Sequence, residues 1–337
     1  MRQVVITRHG GPEVLQVREA ADPHAGPGEV RLRVAAAGIN FADLMARMGL
    51  YPEAPKPPCV VGYEASGTID EVGTNVTGFS VGDRVFGMPR FGGYSDTLVL
   101  PAAQTRRMPT AMTFEQAAAM PVVSLTAHHM MLGIGNLRRG SRVLIHSAAG
   151  GVGVAAVQIA RTRGCEIFGI ASSGKHDFLR SLGVQHCLDP HAGLTAQVRA
   201  IAGARGVDLV LDPVGGKSWR EGFELLARGG RLCCFGLSAA VGGEKRSLFR
   251  ALSAFVAVPK WSPMQLMETN RTVSGTNMLQ LMNDLELLMP QLDDVLAMFA
   301  RGELLPHVDK TFSFAQAAEA HQYIHDRKAM GKVLLTP

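Results

Sequence analysis

Residues 142–160 read RVLIHSAAGGVGVAAVQIA, which is the most informative pattern in the chain. It predicts a buried strand over 143–146, a turn of small residues, and a helix over 152–163. Ala148, Gly150 and Gly153 occupy the small positions of a G-x-G-x-x-G pattern, in which the chain turns tightly and the helix packs closely on its strand. Because the first amide groups of such a helix attract phosphate, the stretch predicts dinucleotide binding. The alternative is a glycine-rich packing turn.

The pattern on either side of this stretch predicts an α/β protein. Strands over 167–170, 209–212 and 231–235 alternate with helices over 175–182 and 217–227, as in a parallel sheet. Residues 1–100 read as short strands punctuated by turns, with one helix over 41–48. We expect one helical stretch over 114–132, broken at Pro121. A strand over 272–275, helices over 284–301 and 314–326, and a strand over 332–335 are predicted to return the chain to the first domain.

The end of the second strand of the parallel sheet favours NADPH over NADH. NAD enzymes usually place an acidic residue there, which binds the ribose 2′-hydroxyl. This chain instead reads Ala171-Ser172-Ser173-Gly174-Lys175. Hydroxyls and an ammonium suit a 2′-phosphate. The alternative is that Lys175 only opens a solvated helix.

Composition and charge exclude several classes of protein. The 337 residues include 34 Lys and Arg against 29 Asp and Glu, without a run of five like charges, and only 6% are aromatic. Disorder, a polybasic tail and a base-stacking nucleic-acid surface are therefore not expected. Five cysteines without a C-x-x-C motif indicate reduced thiols. With no apolar signal core and no long apolar stretch, we expect a cytoplasmic protein that does not associate with membranes.

The sequence predicts chemistry without a metal. Catalytic zinc takes about three Cys, His or Glu ligands. The stretch Gly-Ile-Asn-Phe-Ala-Asp at 38–43 offers Asn40 instead of a cysteine, and Gly-Tyr-Glu at 62–64 offers Tyr63 instead of a histidine. His321 and His325 have helical spacing but no third ligand, so we interpret them as residues of a surface helix.

Several motifs, in order, resemble the medium-chain dehydrogenase/reductase superfamily. They are Ala-Gly-Ile-Asn-Phe-Ala-Asp (37–43), Gly-Leu-Tyr-Pro (49–52), Gly-Tyr-Glu-Ala-Ser-Gly (62–67), Val-Gly-Asp-Arg-Val (81–85), Ala-Ala-Gly-Gly-Val-Gly (148–153) and Gly-Lys-Val-Leu-Leu (331–335). The chain is most similar to the zinc-free quinone oxidoreductase branch, which includes ζ-crystallin, and within it to the vesicle amine transport protein homologues.

This resemblance implies a GroES-like β-barrel catalytic domain joined to a Rossmann domain with a doubly wound parallel sheet. The implied boundaries are 1–123 for the first part of the catalytic domain, 124–270 for the NADPH-binding domain and 271–337 for the return to the catalytic domain. The family also implies a homodimer joined through Rossmann edge strands.

The resemblance further assigns residues to a site. Ala149, Gly150, Gly151 and Val152 would meet the pyrophosphate. The 2′-phosphate would meet Ser172, Ser173, Lys175 and Arg327, although Pro190 replaces a tyrosine that some members place there. Phe235, Gly236 and Leu237 would hold the nicotinamide half, and Thr126, Gly275 and Thr276 match other cofactor contacts. Asn40, Asp43 and Tyr51 would line the nicotinamide and substrate pocket, with Asp43 either catalytic or a structural cap.

Three functions stay open at this point. The first is reduction of a quinone by NADPH, and the second is reduction of an activated C=C bond in an alkenal, enone or enoyl thioester. The third is a non-catalytic protein of the ζ-crystallin type that associates with RNA or membranes. The first two functions require no nucleic acid. Residues 242–263, with Lys245, Arg246 and Arg250 among apolar residues, read either as an amphipathic surface helix or as a helical Rossmann insertion.

Overall fold

The structure is a computed structural model that describes residues 1–241, 253 and 256–337. The strands within these residues are β1 Arg2–Ile6, β2 Leu15–Glu19, β3 Glu29–Gly38, β4 Ala65–Val72, β5 Arg84–Gly87, β6 Thr97–Pro101, β7 Thr105–Arg107, β8 Arg142–Ile145, β9 Glu166–Ile170, β10 His186–Leu188, β11 Val207–Asp212, β12 Leu226–Cys234, β13 Thr272–Gly275, β14 Val308–Ser313 and β15 Lys332–Thr336.

The α-helices within the same residues are α1 Phe41–Met48, α2 Phe114–Ala119, α3 Pro121–His128, α4 Gly151–Thr162, α5 His176–Ser181, α6 Leu194–Ala202, α7 Lys217–Leu225, α8 Pro263–Thr269, α9 Met278–Leu281, α10 Leu285–Ala300 and α11 Ala317–His325. A π-helical turn, His129–Gly133, follows α3. None of these helices is both long and apolar enough to cross a bilayer.

The chain divides into two compact units over the part that the structure describes. The first comprises Met1–Val123, Leu279–Asp294 and Pro306–Pro337, and the second comprises Ser124–Met278 and Val295–Leu305. The first unit is thus assembled from both ends of the chain, and α10 contributes residues to both units.

The second unit is built on a parallel sheet. Its strand order over the described residues is β10-β9-β8-β11-β12-β13. Numbered by appearance along this unit, that order is 3-2-1-4-5-6, which is the Rossmann order. The central strands β8, β9 and β11 are mostly apolar because helices cover a parallel sheet on both faces. Leu144, Phe168 and Val210, one from each of these strands, are buried in the core. The predicted Rossmann sheet is confirmed.

The first unit is built mainly on antiparallel strands. Over the described residues its larger sheet has the order β14-β15-β3-β4-β5-β7, with β6 also paired to β3, and β1 pairs with β2. The long strand β3 alternates apolar and polar residues, so that Val30 and Leu32 are buried in the core of this unit. Strand β15 pairs with the end of β3, which brings the last residues of the chain beside α1.

Some predicted elements differ from the structure. Predicted helix 217–227 ends at Leu225, because Leu226 already begins β12. Strands β2, β5, β7, β10 and β14 were not predicted individually, because each carries polar residues that interrupt the apolar pattern. His321 is fully buried, so its interpretation as a surface residue is wrong. The stretch 242–252 and residues 254 and 255, which include Lys245, Arg246 and Arg250, lie outside the described residues.

Candidate active site

The glycine-rich turn leaves the start of α4 open to an anion. Gly150 is the N-cap residue and has no side chain to cap the first-turn amide groups. A Cβ on Gly153 would lie 2.5 Å from the carbonyl oxygens of both Ser147 and Ala148, so only glycine fits. Ser147 has a φ of 52°, a left-handed conformation that is uncommon for residues other than glycine. Uncapped amide groups at a helix start are a typical phosphate site.

Polar residues follow β9, the strand beside β8. Ser173–Lys175 form a 3-10 turn, in which the Lys175 amide donates to the Ser172 carbonyl at 2.9 Å. Both serines are exposed and Lys175 is half-buried. Asp177, the acidic residue that follows, forms an ion pair with Arg180 at 2.6 Å. The turn therefore presents hydroxyl and ammonium groups at the end of the second strand.

A buried polar network lies where the strand order reverses, between β8 and β11. His146 Nε2 lies 3.7 Å from Asp212 Oδ2. The Ser218 hydroxyl donates to the same oxygen at 2.5 Å, and Asp212 Oδ1 accepts the Val214 amide at 2.6 Å. Ligands of open α/β sheets bind outside the carboxyl ends of strands at such a switch point. The network thus fixes a loop at the expected ligand position.

The loops after β12 and β13 lie at the same edge of the sheet. The Phe235 amide donates to the Asp212 carbonyl at 3.2 Å, and the Thr276 amide to the Cys234 carbonyl at 2.9 Å. A Cβ on Gly236 would lie 2.9 Å from the Pro213 carbonyl oxygen. Thr276 Oγ1 is buried and has no partner among the described residues. Since buried hydroxyls nearly always have a partner, this oxygen is a candidate ligand contact.

Two other predicted cofactor contacts fall in different units. Thr126 lies in α3, in the second unit, and is 6% exposed. Arg327 follows α11 in the first unit, with a left-handed φ of 57° and an exposed side chain. Their assignment to the cofactor stays a prediction.

In the first unit, Asn40 belongs to a closed buried network. Its Nδ2 donates to Glu64 Oε1 at 2.8 Å. The Lys332 ammonium donates to Asn40 Oδ1 at 2.6 Å and lies 2.5 Å from Glu64 Oε1. Asn40, Glu64 and Lys332 are 8%, 0% and 3% exposed. Each member contacts the other two, and the charges of the carboxylate and the ammonium balance, as buried charges require.

Asp43 lies behind Asn40 and is fully buried. Its Oδ2 accepts the Asn40 amide at 2.7 Å and its Oδ1 accepts the Gly62 amide at 2.9 Å. Burial raises the pKa of Asp43 to about 7, opposed by these hydrogen bonds and by one with Tyr94. Both carboxyl oxygens are thus occupied by neighbouring groups of the protein.

Tyr51 lies in an aromatic group with Tyr63 and Phe91. The rings of Tyr51 and Tyr63 are 6.5 Å apart and nearly perpendicular, and those of Tyr63 and Phe91 are 5.6 Å apart. Tyr51 is half-buried, whereas Tyr63 is 4% exposed. The Tyr63 hydroxyl is buried without a partner among the described residues, and burial raises its pKa.

Only some of the predicted residues contact one another within a unit. Asn40 and Asp43 are hydrogen-bonded neighbours. The residues predicted for the cofactor in the second unit lie at or after the ends of its strands, except Thr126, which lies in α3. Glu64, Lys332, His146 and Asp212 were not predicted as site residues. One signal was present for Lys332, because a lysine directly before the apolar run Val-Leu-Leu has to find a buried partner.

Two family profiles match the chain. "Alcohol dehydrogenase GroES-like domain" matches residues 26–110, and "Zinc-binding dehydrogenase" matches residues 182–335. The first match confirms the predicted GroES-like domain.

The residues around Asn40 do not fit a zinc ion. No group of three His, Cys, Asp or Glu that could hold a metal occurs in residues 1–241, 253 and 256–337. Two carboxylates contact Asn40: that of Glu64 is already paired with the Lys332 ammonium, and that of Asp43 accepts the backbone amides of Asn40 and Gly62. A second cation there would be repelled by the first, so we derive no step through a metal.

Known proteins similar to this chain extend over its whole length. The Synaptic vesicle membrane protein VAT-1 homolog of Rattus norvegicus is 39% identical over 100% of this chain and 84% of its own length. The crystal structure of Escherichia coli quinone oxidoreductase complexed with NADPH matches with a TM-score of 0.88 and 28% identity, covering 100% of both chains. The crystal structure of CurK enoyl reductase matches with a TM-score of 0.86 and 27% identity, covering 99% and 98%. The chain therefore belongs to the medium-chain dehydrogenase/reductase superfamily, among relatives that include the VAT-1 homologues and structural neighbours that include quinone oxidoreductases.

Proposed function

We propose that this oxidoreductase uses NADPH to reduce a quinone. The observation that carries the proposal is the Rossmann sheet whose first turn is uncapped and whose second strand ends in Ser172-Ser173-Gly174-Lys175 without an acid. The similarity to a quinone oxidoreductase that was solved with NADPH supports the same cofactor.

Residues of the second unit hold the cofactor in this proposal. The amide groups of Gly151 and Val152 bind the pyrophosphate, because they lie at the uncapped start of α4. Ala149 and Gly150 line the turn beside it, where the Gly150 amide donates to the Ser147 carbonyl at 2.9 Å. Ser172, Ser173 and Lys175 bind the 2′-phosphate. The nicotinamide half lies against Phe235, Gly236 and Leu237, with Gly275, Thr276 and Thr126 as further contacts. When bound, NADPH supplies a hydride to the acceptor.

The first unit supplies the groups that receive the acceptor. Asn40 and Tyr51 donate hydrogen bonds to the acceptor oxygen, where negative charge develops during reduction. The Asn40 amide carries two hydrogens, and Glu64 takes one of them. Asp43 acts through Asn40, whose backbone amide it holds.

Acceptor profiling tests the proposal. We expect purified protein to oxidise NADPH faster with 1,4-benzoquinones than with 2-alkenals or crotonyl thioesters, after subtraction of the protein-free rate. Turnover of alkenals or thioesters with negligible turnover of quinones would establish reduction of activated C=C bonds instead. Salt-sensitive RNA binding that NADPH competes away, without NADPH oxidation, would contradict any reductase role.

We also propose a cytoplasmic homodimer. Over the described residues β13 ends the parallel sheet, so one side of this strand is available to a second copy. Light scattering during size-exclusion chromatography should give about twice the chain mass of 36.0 kDa. A mass equal to one chain would contradict the dimer.

A further inference from the structure

Lys332 is a charged residue that the folding of the chain places beside Asn40. It begins β15, whose Leu334 pairs with Gly38 at the end of β3. The Ile39 amide donates to the Val333 carbonyl at 3.0 Å, which holds this register next to Asn40. The pairing of β15 with β3 therefore holds the Lys332 ammonium, which is 3% exposed, next to Asn40.

The ammonium determines which way the Asn40 amide faces. Lysine can only donate hydrogen bonds, so the amide oxygen has to face it. The Nδ2 group then faces Glu64, which can only accept. If the amide were flipped, its N–H group would face the Lys332 ammonium and its oxygen would face the Glu64 carboxylate. Both contacts would be repulsive. The second Nδ2 hydrogen of Asn40 has no acceptor among the described residues. It is therefore the hydrogen that Asn40 can donate to a ligand.

Glu64 is anchored independently of Lys332. The Val122 amide donates to Glu64 Oε2 at 2.8 Å, and the Gly38 amide donates to the Glu64 carbonyl at 3.2 Å. A Cβ on Gly38 would lie 2.5 Å from Glu64 Oε1, so glycine leaves the space that the carboxylate fills. The Glu64 carboxylate is consequently held in place by the backbone, and it orients the Lys332 ammonium and the Asn40 amide.

We propose that Lys332, paired with Glu64, is a positioning residue that makes Asn40 present a hydrogen-bond donor to the acceptor oxygen. The proposal rests on the proposed reductase function, and it assigns Lys332 no contact with the substrate. Because an amide oxygen turned toward the developing oxyanion would repel it, loss of this orientation should slow reduction more than it weakens acceptor binding.

The experiment compares wild type with the double variant E64Q/K332M. Lys332→Met alone leaves an unpaired buried carboxylate and risks misfolding, whereas the double variant removes both charges at similar side-chain volume. The matched control is Lys310→Met on β14, whose ammonium lies over the Phe312 ring at 4.7 Å. Circular dichroism and NADPH affinity report whether each variant is folded.

For the double variant we expect kcat with a quinone to fall by about 100-fold, the lower end of the range for loss of an oriented oxyanion donor. The KM for the quinone should change by less than about threefold, and NADPH affinity and the Lys310→Met control should match wild type. A kcat of the folded double variant within about twofold of wild type would overturn the proposal.

A second readout does not depend on activity. In ¹H–¹⁵N spectra the side-chain amide of Asn40, identified by its loss in Asn40→Asp, should exchange slowly in wild type and rapidly in E64Q/K332M. Rapid exchange in wild type would overturn the fixed orientation. If wild type oxidises no NADPH with any acceptor, the proposed function fails, and this spectrum still decides whether Lys332 holds Asn40.

Discussion

Gly38 shows how one absent side chain shapes the site. A Cβ there would lie 2.5 Å from Glu64 Oε1 and 2.6 Å from the Ala118 carbonyl oxygen, which is backbone and cannot move aside. We expect Gly38→Ala to destabilise the fold by about 1–3 kcal/mol, as overpacking does. Urea denaturation measures the effect. Gly26→Ala is the control, because its Cβ would meet only the flexible end of Glu29, and equal stability of the two variants would contradict this account.

Asp43 should make stability depend on pH. Its carboxyl ionises near pH 3.8 when unfolded, and burial raises its pKa to about 7 in the fold. The contribution of Asp43 to the free energy of unfolding is therefore fully present below about pH 4. It is lost as the pH rises to about 7, and the loss is at most roughly 4 kcal/mol. Urea denaturation of wild type and Asp43→Asn across this pH range measures the free energy of unfolding of each. The amount by which wild type exceeds the variant should decrease as the pH rises. A difference that stays constant with pH would contradict the raised pKa.

At the scale of residues, sequence reasoning found the groups with a recognisable pattern. The small residues of the turn and the serines and lysine after β9 were predicted because their spacing is local. Glu64 and Lys332 are separated by 268 positions in the chain and meet only through the pairing of β15 with β3. No local pattern contains that contact, so their role required the structure.

At the scale of elements, Gly153 decides how closely α4 packs on β8. Its Cβ would lie 2.5 Å from two backbone oxygens, so Gly153→Ala has to shift the start of the helix. We expect NADPH affinity to fall by at least about tenfold and unfolding to occur at lower denaturant. Fluorescence titration and urea denaturation measure these effects. Thr162→Ala, at the other end of α4, should bind NADPH as wild type does, and unchanged affinity of Gly153→Ala would contradict the phosphate site.

Elements with a strong apolar pattern could be predicted, whatever their length, and strands without such a pattern could not. Helix α4 and strands β8, β9 and β11 lie where the apolar periodicity puts them. By contrast, β14 reads Val-Asp-Lys-Thr-Phe-Ser and carries three polar residues in its first four. Such strands are specified by pairing with a distant neighbour, here β15, rather than by their own residues.

At the scale of the molecule, NADPH should protect a defined part of the chain. Ligand binding stabilises the regions that contact it against local opening. We expect hydrogen exchange to slow most at residues 147–153, 172–175 and 235–237, which lie at the carboxyl edge of the parallel sheet. Mass spectrometry of peptides from protein with and without NADPH measures this. Unchanged exchange in all three segments at saturating NADPH would contradict the assigned site.

Whether the Rossmann unit binds NADPH through Lys175 is tested by a fluorescence titration of wild type and Lys175→Glu with NADPH and NADH. We expect saturable binding of one NADPH per chain, with NADPH at least about tenfold tighter than NADH, because a charged hydrogen bond to the 2′-phosphate contributes about 1.5–3 kcal/mol. Lys175→Glu should remove most of this preference and leave NADH affinity nearly unchanged. Equal affinity of wild type for the two nucleotides, or no saturable binding of either, would contradict the claim.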